Sequence, residues 1–227
     1  MNKLSFEEIK VEEERRTLQK ETTKSSNERY IKLTFFIATE GTKTEPNYFN
    51  ALKEELEKTK RFNIDISIEG KGKSTTALVK KVIRQVENNH QEYDRIWAVF
   101  DKDDFEDFDA AIELAKEHNV NCAWSNECFE LWVLLHFRYS DAALSRDSYI
   151  PCINEILNQK ENGLSYEKNL TNLYQLLEKH GNIKNAFKWA KKLDDKLPNP
   201  KVKDNPSTGI YELLDYFDLY LKLELKV

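Results

Sequence analysis

The sequence predicts an α/β fold: a mostly parallel sheet of about four strands flanked by helices, with a helical C-terminal part. Three observations carry this. Strand and helix periodicities alternate from Tyr30 to Phe137 with short links between them. Residues 95–100 (Arg-Ile-Trp-Ala-Val-Phe) are apolar almost without interruption, as a strand is when both sheet faces are covered. Beyond about Ser140 the strand signals stop and helical spacing takes over. Alternating β and α units with short links imply parallel strands joined by right-handed crossovers.

Residues 1–28 are rich in Glu, Lys and Arg and read as a charged flexible or helical extension. Residues 29–140 then read as the α/β core, and 141–227 as a helical region packed on it. The first strand is expected over 30–39. A helix over 46–60 follows, with Tyr48, Phe49, Leu52 and Leu56 at helical spacing. Phe62, Ile64, Ile66 and Ile68 alternate with polar residues, as in a half-buried strand. Residues 74–89 place Ala77, Leu78, Val82, Ile83 and Val86 on one helix face. The apolar strand over 95–100 is followed by an amphipathic helix over 104–118, a strand over 120–124 and an apolar helix over 129–137. Tyr149-Ile-Pro and Glu161-Asn-Gly punctuate a less regular stretch. Helices are expected over 170–179, 185–193 and 208–223.

The 227 residues suffice for one large domain or two small ones, and the hydrophobic 40% is clustered enough to build a core. A formal charge of −5 argues against a protein that coats nucleic acid in general. It leaves nucleic-acid chemistry open, because a local basic groove or a bound cation can recruit phosphate. Three cysteines without a CxxC pair fit a reducing compartment and no zinc site. Residues 1–27 carry no apolar signal segment, and no apolar run reaches the roughly 20 residues that span a bilayer. The expectation is a cytoplasmic protein that does not enter a membrane.

The strand over 95–100 runs directly into Asp101-Lys-Asp-Asp104, and the first strand runs into Glu40-Gly41. Ligands of α/β proteins bind outside the carboxyl ends of the strands, so these acids stand where a site belongs. Carboxylates are the ligands of hard cations such as Mg²⁺ and Mn²⁺. Asp101 and Asp103 can address one ion from an extended strand end. Glu40 is a further ligand or a general acid/base, with Gly41 allowing a sharp turn and a close ligand. Asp104 is better explained by helix capping. Thr42 and Glu45 fit a capping box and Pro46 a first helical turn, so Glu45 is either a cap or another ligand. Lys43 is a solvated loop charge or a phosphate contact. Glu127 and Glu130 stand three apart at the start of an apolar helix. Capping explains Glu127. Glu130 needs a partner, because burying a lone carboxylate is costly, and that partner is a salt bridge or the acidic site itself.

Other signals carry less. Gly70-Lys-Gly-Lys-Ser74 resembles a phosphate loop, but Ser67 stands where the motif needs Gly, so a turn with Ser74 as helix cap is preferred. The histidines are scattered, with His136 the one expected in the core. Trp189, among lysines, reads as half-buried rather than as a base-stacking platform.

The segments Ala38-Thr-Glu-Gly-Thr-Lys-Thr-Glu-Pro-Asn-Tyr-Phe49, Val99-Phe-Asp-Lys-Asp-Asp-Phe105, Ala123-Trp-Ser-Asn-Glu-Cys-Phe-Glu-Leu-Trp132 and Asn205-Pro-Ser-Thr208 resemble the RloB family over about residues 30–225. That family is associated with bacterial restriction and abortive-infection loci, commonly beside an ATPase. Its core resembles the Toprim fold of topoisomerases, primases and OLD-type nucleases. The resemblance implies a Toprim-like core, with Glu40, Asp101 and Asp103 matching the Glu and Asp-x-Asp of such proteins. Glu45 is similar to the second Glu of OLD-type nucleases, one residue further along. Lys168 is a counterpart of their assisting lysine.

These readings lead to a Mg²⁺- or Mn²⁺-dependent nuclease acting on DNA or RNA in anti-phage defence, with an ATPase partner and room for a homo-oligomer. Asp101, Asp103 and Glu40 would hold metal, Glu40 could instead move a proton, and Glu127 or Glu130 would complete a second site. Two rivals remain. A HAD-type phosphatase also uses Asp-x-Asp after a strand, but Phe105 stands where that motif has Thr or Val. A non-enzymatic metal-binding partner or sensor domain for a defence ATPase would keep the fold and leave the chemistry elsewhere.

Overall fold

Side chains alternate across a strand, so β1 (Leu33–Thr39) sends Phe35 and Ile37 to one side of the sheet and Phe36 and Ala38 to the other. Both sides are covered, which is why this strand is not amphipathic in sequence. The computed structural model describes residues 32–70, 74–89, 91–102, 106–195 and 205–224. The extension expected over residues 1–28 lies outside them, as do Asp103, Asp104, Lys71, Lys73 and His90.

β1, β2 (Phe62–Ile68), β3 (Arg95–Asp101) and β4 (Asn121–Asn126) are parallel, in the order β2-β1-β3-β4. The sheet has five strands rather than about four. The extra one, β5 (Ser207–Thr208), is antiparallel and covers the outer edge of β4. It is two residues long and pairs with a strand more than 80 positions away (Ser125 Oγ and Thr208 Oγ1 are 2.9 Å apart), so no local pattern announces it.

Helices α1 (Thr44–Lys58), α4 (Glu130–Leu135), α5 (Arg146–Lys160), α6 (Leu173–His180), α7 (Ile183–Asp194) and α8 (Ile210–Glu224) pack on the face that carries Phe35, Ile37, Trp97 and Val99. Helices α2 (Thr75–Asn88) and α3 (Phe108–Glu117) cover the other face, over Phe36, Ala38, Ala98 and Phe100. The larger core draws on β1 and α1 as well as on α5 to α8, so the C-terminal helices and the sheet share one apolar interior. Among the described residues no helix is long and apolar enough to cross a membrane.

α5 departs from expectation, since Tyr149-Ile-Pro looked like an interruption. Pro151 lies inside the helix on its exposed side, where the missing N–H removes a single bond. Tyr149, Ile153 and Leu157, four apart and fully buried, hold the helix to the core regardless. Gly163, at φ +84°, lies in the turn beyond it. The expected helix over 208–223 instead begins at Ile210, after β5.

The order of the strands creates the place for a site. From β1 the chain passes through α1 to β2 on one side, then returns through α2 on the opposite face to β3 on the other side. β1 and β3 are therefore neighbours whose outgoing connections diverge, which opens a crevice at their carboxyl ends.

Candidate active site

Glu40 and Asp101 stand at that crevice. The Glu40 backbone N–H donates to the Val99 carbonyl (2.9 Å), which fixes the turn after β1 against the last residues of β3. Asp101 ends β3 in register with Ser125 of β4. Glu40 is buried and Asp101 half-buried.

Asp101 faces the guanidinium of Arg146, the first residue of α5 (Nη2 to Oδ2, 3.6 Å). The same Nη2 donates to the Glu127 carbonyl oxygen (3.0 Å), and the Arg146 backbone N–H donates to Glu127 Oε2 (3.0 Å). Glu127 Oε1 accepts from Asn205 Nδ2 (3.1 Å). Capping is thus the right kind of bond for Glu127 but on another helix: it satisfies the N-terminus of α5, while α4 starts without a side-chain cap.

Glu130 opens α4 with its side chain buried and accepts a hydrogen bond from the Tyr166 hydroxyl (2.9 Å). Cys128 lies between Glu130 and Asp101. Burial pushes its thiol far up, and both carboxylates push it further, so it is a neutral packing group. Glu45, in the first turn of α1, is also buried. Burial raises its pKa and the Glu130 carboxylate adds to the rise, while Lys168 and Arg146 oppose it. The two glutamates therefore sit within electrostatic reach of each other and of the same two cations.

Lys168 belongs to the loop between α5 and α6, which is pinned at several points. Its carbonyl accepts from Thr44 Oγ1, and Asn47 Nδ2 donates to the carbonyls of Asn169 (3.4 Å) and Leu170 (3.3 Å). Asn154 of α5 clasps Tyr166 through both its backbone N–H (2.6 Å) and its carbonyl (3.1 Å). Lys43 is exposed at the start of α1.

A family model described as "RloB-like protein" matches residues 35–217. The chain belongs to the RloB family. No curated protein and no solved structure matches it.

In this RloB chain the structure gathers Asp101, Glu127, Glu130, Glu45 and Lys168 around the ends of β1, β3 and β4, with Glu40 at the same edge. Asp103 lies outside the described residues. Among the described residues no three His, Cys, Asp or Glu side chains are grouped closely enough to hold a metal ion. The donors are right in kind for Mg²⁺ or Mn²⁺, since carboxylate oxygens on adjacent strand ends suit hard cations. Arg146, Tyr166 and Asn205 are the residues that sequence reasoning missed. Asn205 lay in a segment quoted for the family resemblance, but nothing local marks Arg146 or Tyr166.

Two expectations from the sequence are corrected. The capping box of Thr42 and Glu45 does not form, because α1 begins at Thr44 and Lys43 occupies the cap position without a side-chain bond. Gly41 leaves no room for a ligand, because the Glu45 carboxylate already lies against it. A methyl group there would overlap both Glu45 oxygens. The phosphate-loop resemblance finds no support at the α2 N-terminus. Ser74 caps the helix by accepting from the Ala77 N–H (3.2 Å), and the Asp107 carboxylate takes the N–H groups of Thr75 (3.2 Å) and Thr76 (2.9 Å). Burial works against the charge of Asp107, but the hydrogen bonds outweigh it and hold the carboxyl below its ordinary range. His136 is a core residue as expected: burial pushes it down to about 4, and its Nδ1 sits 2.9 Å from the Trp132 carbonyl.

Gly41→Ala is expected to expel the Glu45 carboxylate and shift the thermal midpoint by no more than about 3 °C. The overlapped atoms are the far end of a flexible side chain. A carboxyl whose folded pKa is raised weakens the fold as pH climbs above its unfolded value, so releasing it removes a penalty. Carboxyl NMR titration would show the Glu45 pKa falling back toward its ordinary value. An unchanged titration would refute the displacement.

Proposed function

We propose that this RloB-family chain is a Mg²⁺- or Mn²⁺-dependent nuclease that hydrolyses the phosphodiesters of DNA or RNA, and that it works in anti-phage defence with an ATPase partner. The observation that carries the reading is the placement of Glu40 and Asp101 at the β1/β3 crevice, the position at which α/β sheets bind ligands. The Glu…Asp-x-Asp resemblance to Toprim nucleases supports it. The defence role and the ATPase partner rest on the family resemblance.

Asp101 and Glu40 would hold the cation, joined by Asp103 of the Asp-x-Asp pair. When bound, the cation offsets phosphate charge and makes water a competent nucleophile near neutral pH. The chain's own residues do the rest. Arg146 and Lys168 place positive charge where a phosphodiester must lie. Glu130 and Glu45 stand buried behind them, set by Tyr166 and Gly41. Glu40 holds the cation or carries the proton.

A second reading has an observation of its own. Asp101, Glu127 and Glu130 all have partners within the protein, as befits a partner or sensor domain whose acids serve the fold. The test uses purified protein with single- and double-stranded DNA and RNA. Cleavage is expected with Mn²⁺, none with excess chelator, and Glu40→Gln should slow it at least about a hundredfold. Unaltered cleavage by Glu40→Gln, or none under any metal condition, would overturn the proposal and favour the sensor reading.

A further inference from the structure

Among the residues of the acidic edge, Arg146 is the one that touches both carboxylate strands' ends and is still open to solvent. Its side chain is 28% exposed, against 3% for Glu40 and Glu130 and 6% for Glu45. It is anchored twice on Glu127, by its backbone N–H on the carboxylate and by Nη2 on the carbonyl. Its contact with Asp101 is of another kind. At 3.6 Å it is a single loose approach, outside the 2.7–2.9 Å typical of charge-assisted hydrogen bonds. The anchor is firm and the ion pair is weak, so the guanidinium can leave Asp101 without disturbing the start of α5.

We infer that Arg146 is the resident counter-cation of this site and its phosphate-binding residue. It neutralises Asp101 when no divalent cation is present and turns to the substrate phosphate when one is. This rests on the nuclease reading above and names the residue that couples its two ligands. The physical reason is charge. A divalent ion beside Asp101 takes over the attraction that holds the guanidinium and repels it. A phosphodiester entering the crevice then offers the planar fork a matching pair of oxygens.

The coupling has a signature that a merely structural arginine lacks, because removal acts on the two ligands in opposite directions. Calorimetric titration with Mn²⁺ should show Arg146→Ala binding the ion about tenfold more tightly than wild type, since a competing positive charge is gone. Anisotropy of a fluorescein-labelled single-stranded DNA oligonucleotide, with Ca²⁺ in place of Mn²⁺ to prevent cutting, should show its affinity weakened about tenfold. Arg146→Lys keeps the charge but not the fork. It should leave Mn²⁺ affinity within about twofold and still lose oligonucleotide affinity. If Arg146→Ala fails to fold by circular dichroism, Arg146→Gln is read by the same two signs. Mn²⁺ affinity that falls or stays level in the uncharged variant, or unchanged oligonucleotide affinity, overturns the inference while leaving the metal site standing. Wild-type protein that gives no Mn²⁺ heat overturns the site reading and this inference with it.

Discussion

Asp101→Ala is expected to reduce metal-dependent cleavage by about three orders of magnitude, because a lost metal ligand forfeits several kcal/mol of transition-state stabilisation. The protein should remain folded. The side chain removed sits at the end of β3, outside both apolar cores, and its contact is a loose, partly exposed ion pair with Arg146. Pairs of that kind contribute up to about 1 kcal/mol, so the thermal midpoint should fall by only about 3 °C. Asp101→Asn keeps the shape and removes the charge, and should be nearly as inactive. Cleavage rates measured beside melting curves separate the two effects. Full activity in Asp101→Ala would place the chemistry elsewhere. Inactivity accompanied by unfolding would make Asp101 a structural residue.

Trp132→Ala should be among the most destabilising single changes in the chain, by about 3–5 kcal/mol, which is a fall of about 10 °C in midpoint. Trp132 is fully buried on α4, in the larger core. Its indole N–H donates to the Tyr48 hydroxyl of α1 (3.3 Å), and its ring meets His136 and Phe187 edge-on at 4.9 and 5.8 Å. One side chain thereby joins α1, α4 and α7. Truncation would leave a cavity between three helices and remove the donor of a buried hydroxyl's hydrogen bond, two losses that add. Urea titration measures the effect. A loss below about 1 kcal/mol would mean that the helices collapse into the space.

The strands were legible because their side-chain pattern is local. Phe62–Ile68 matched residue for residue, and the continuous apolar character of β3 announced cover on both faces. The acids at strand ends were legible for the same reason. What could not be read is set by long-range pairing. The bond between Asn205 and Glu127 spans 78 positions, and the one between Tyr166 and Glu130 spans 36. Gly41 was correctly singled out for close approach, but the group that comes close is Glu45, four residues on. The start of α2 is occupied by Asp107, more than 30 positions downstream, which no loop motif could show. Pro151 misled because a backbone rule was applied without the weight of three buried side chains on the same helix.

The small strand β5 has a consequence for how this molecule opens. Asn205, just before it, reaches Glu127, Thr208 within it reaches Ser125, and the Gly209 N–H just after it reaches the Trp124 carbonyl (2.8 Å). Release of this segment would uncover the outer rim of β4 and untie Glu127 in a single event. The acidic edge and the far end of the chain therefore belong to one cooperative unit, in the sense in which local unfolding divides a protein into parts that open together. Slow amide exchange at Gly209 is a reporter of the catalytic edge, although the residue touches none of the acids that define it.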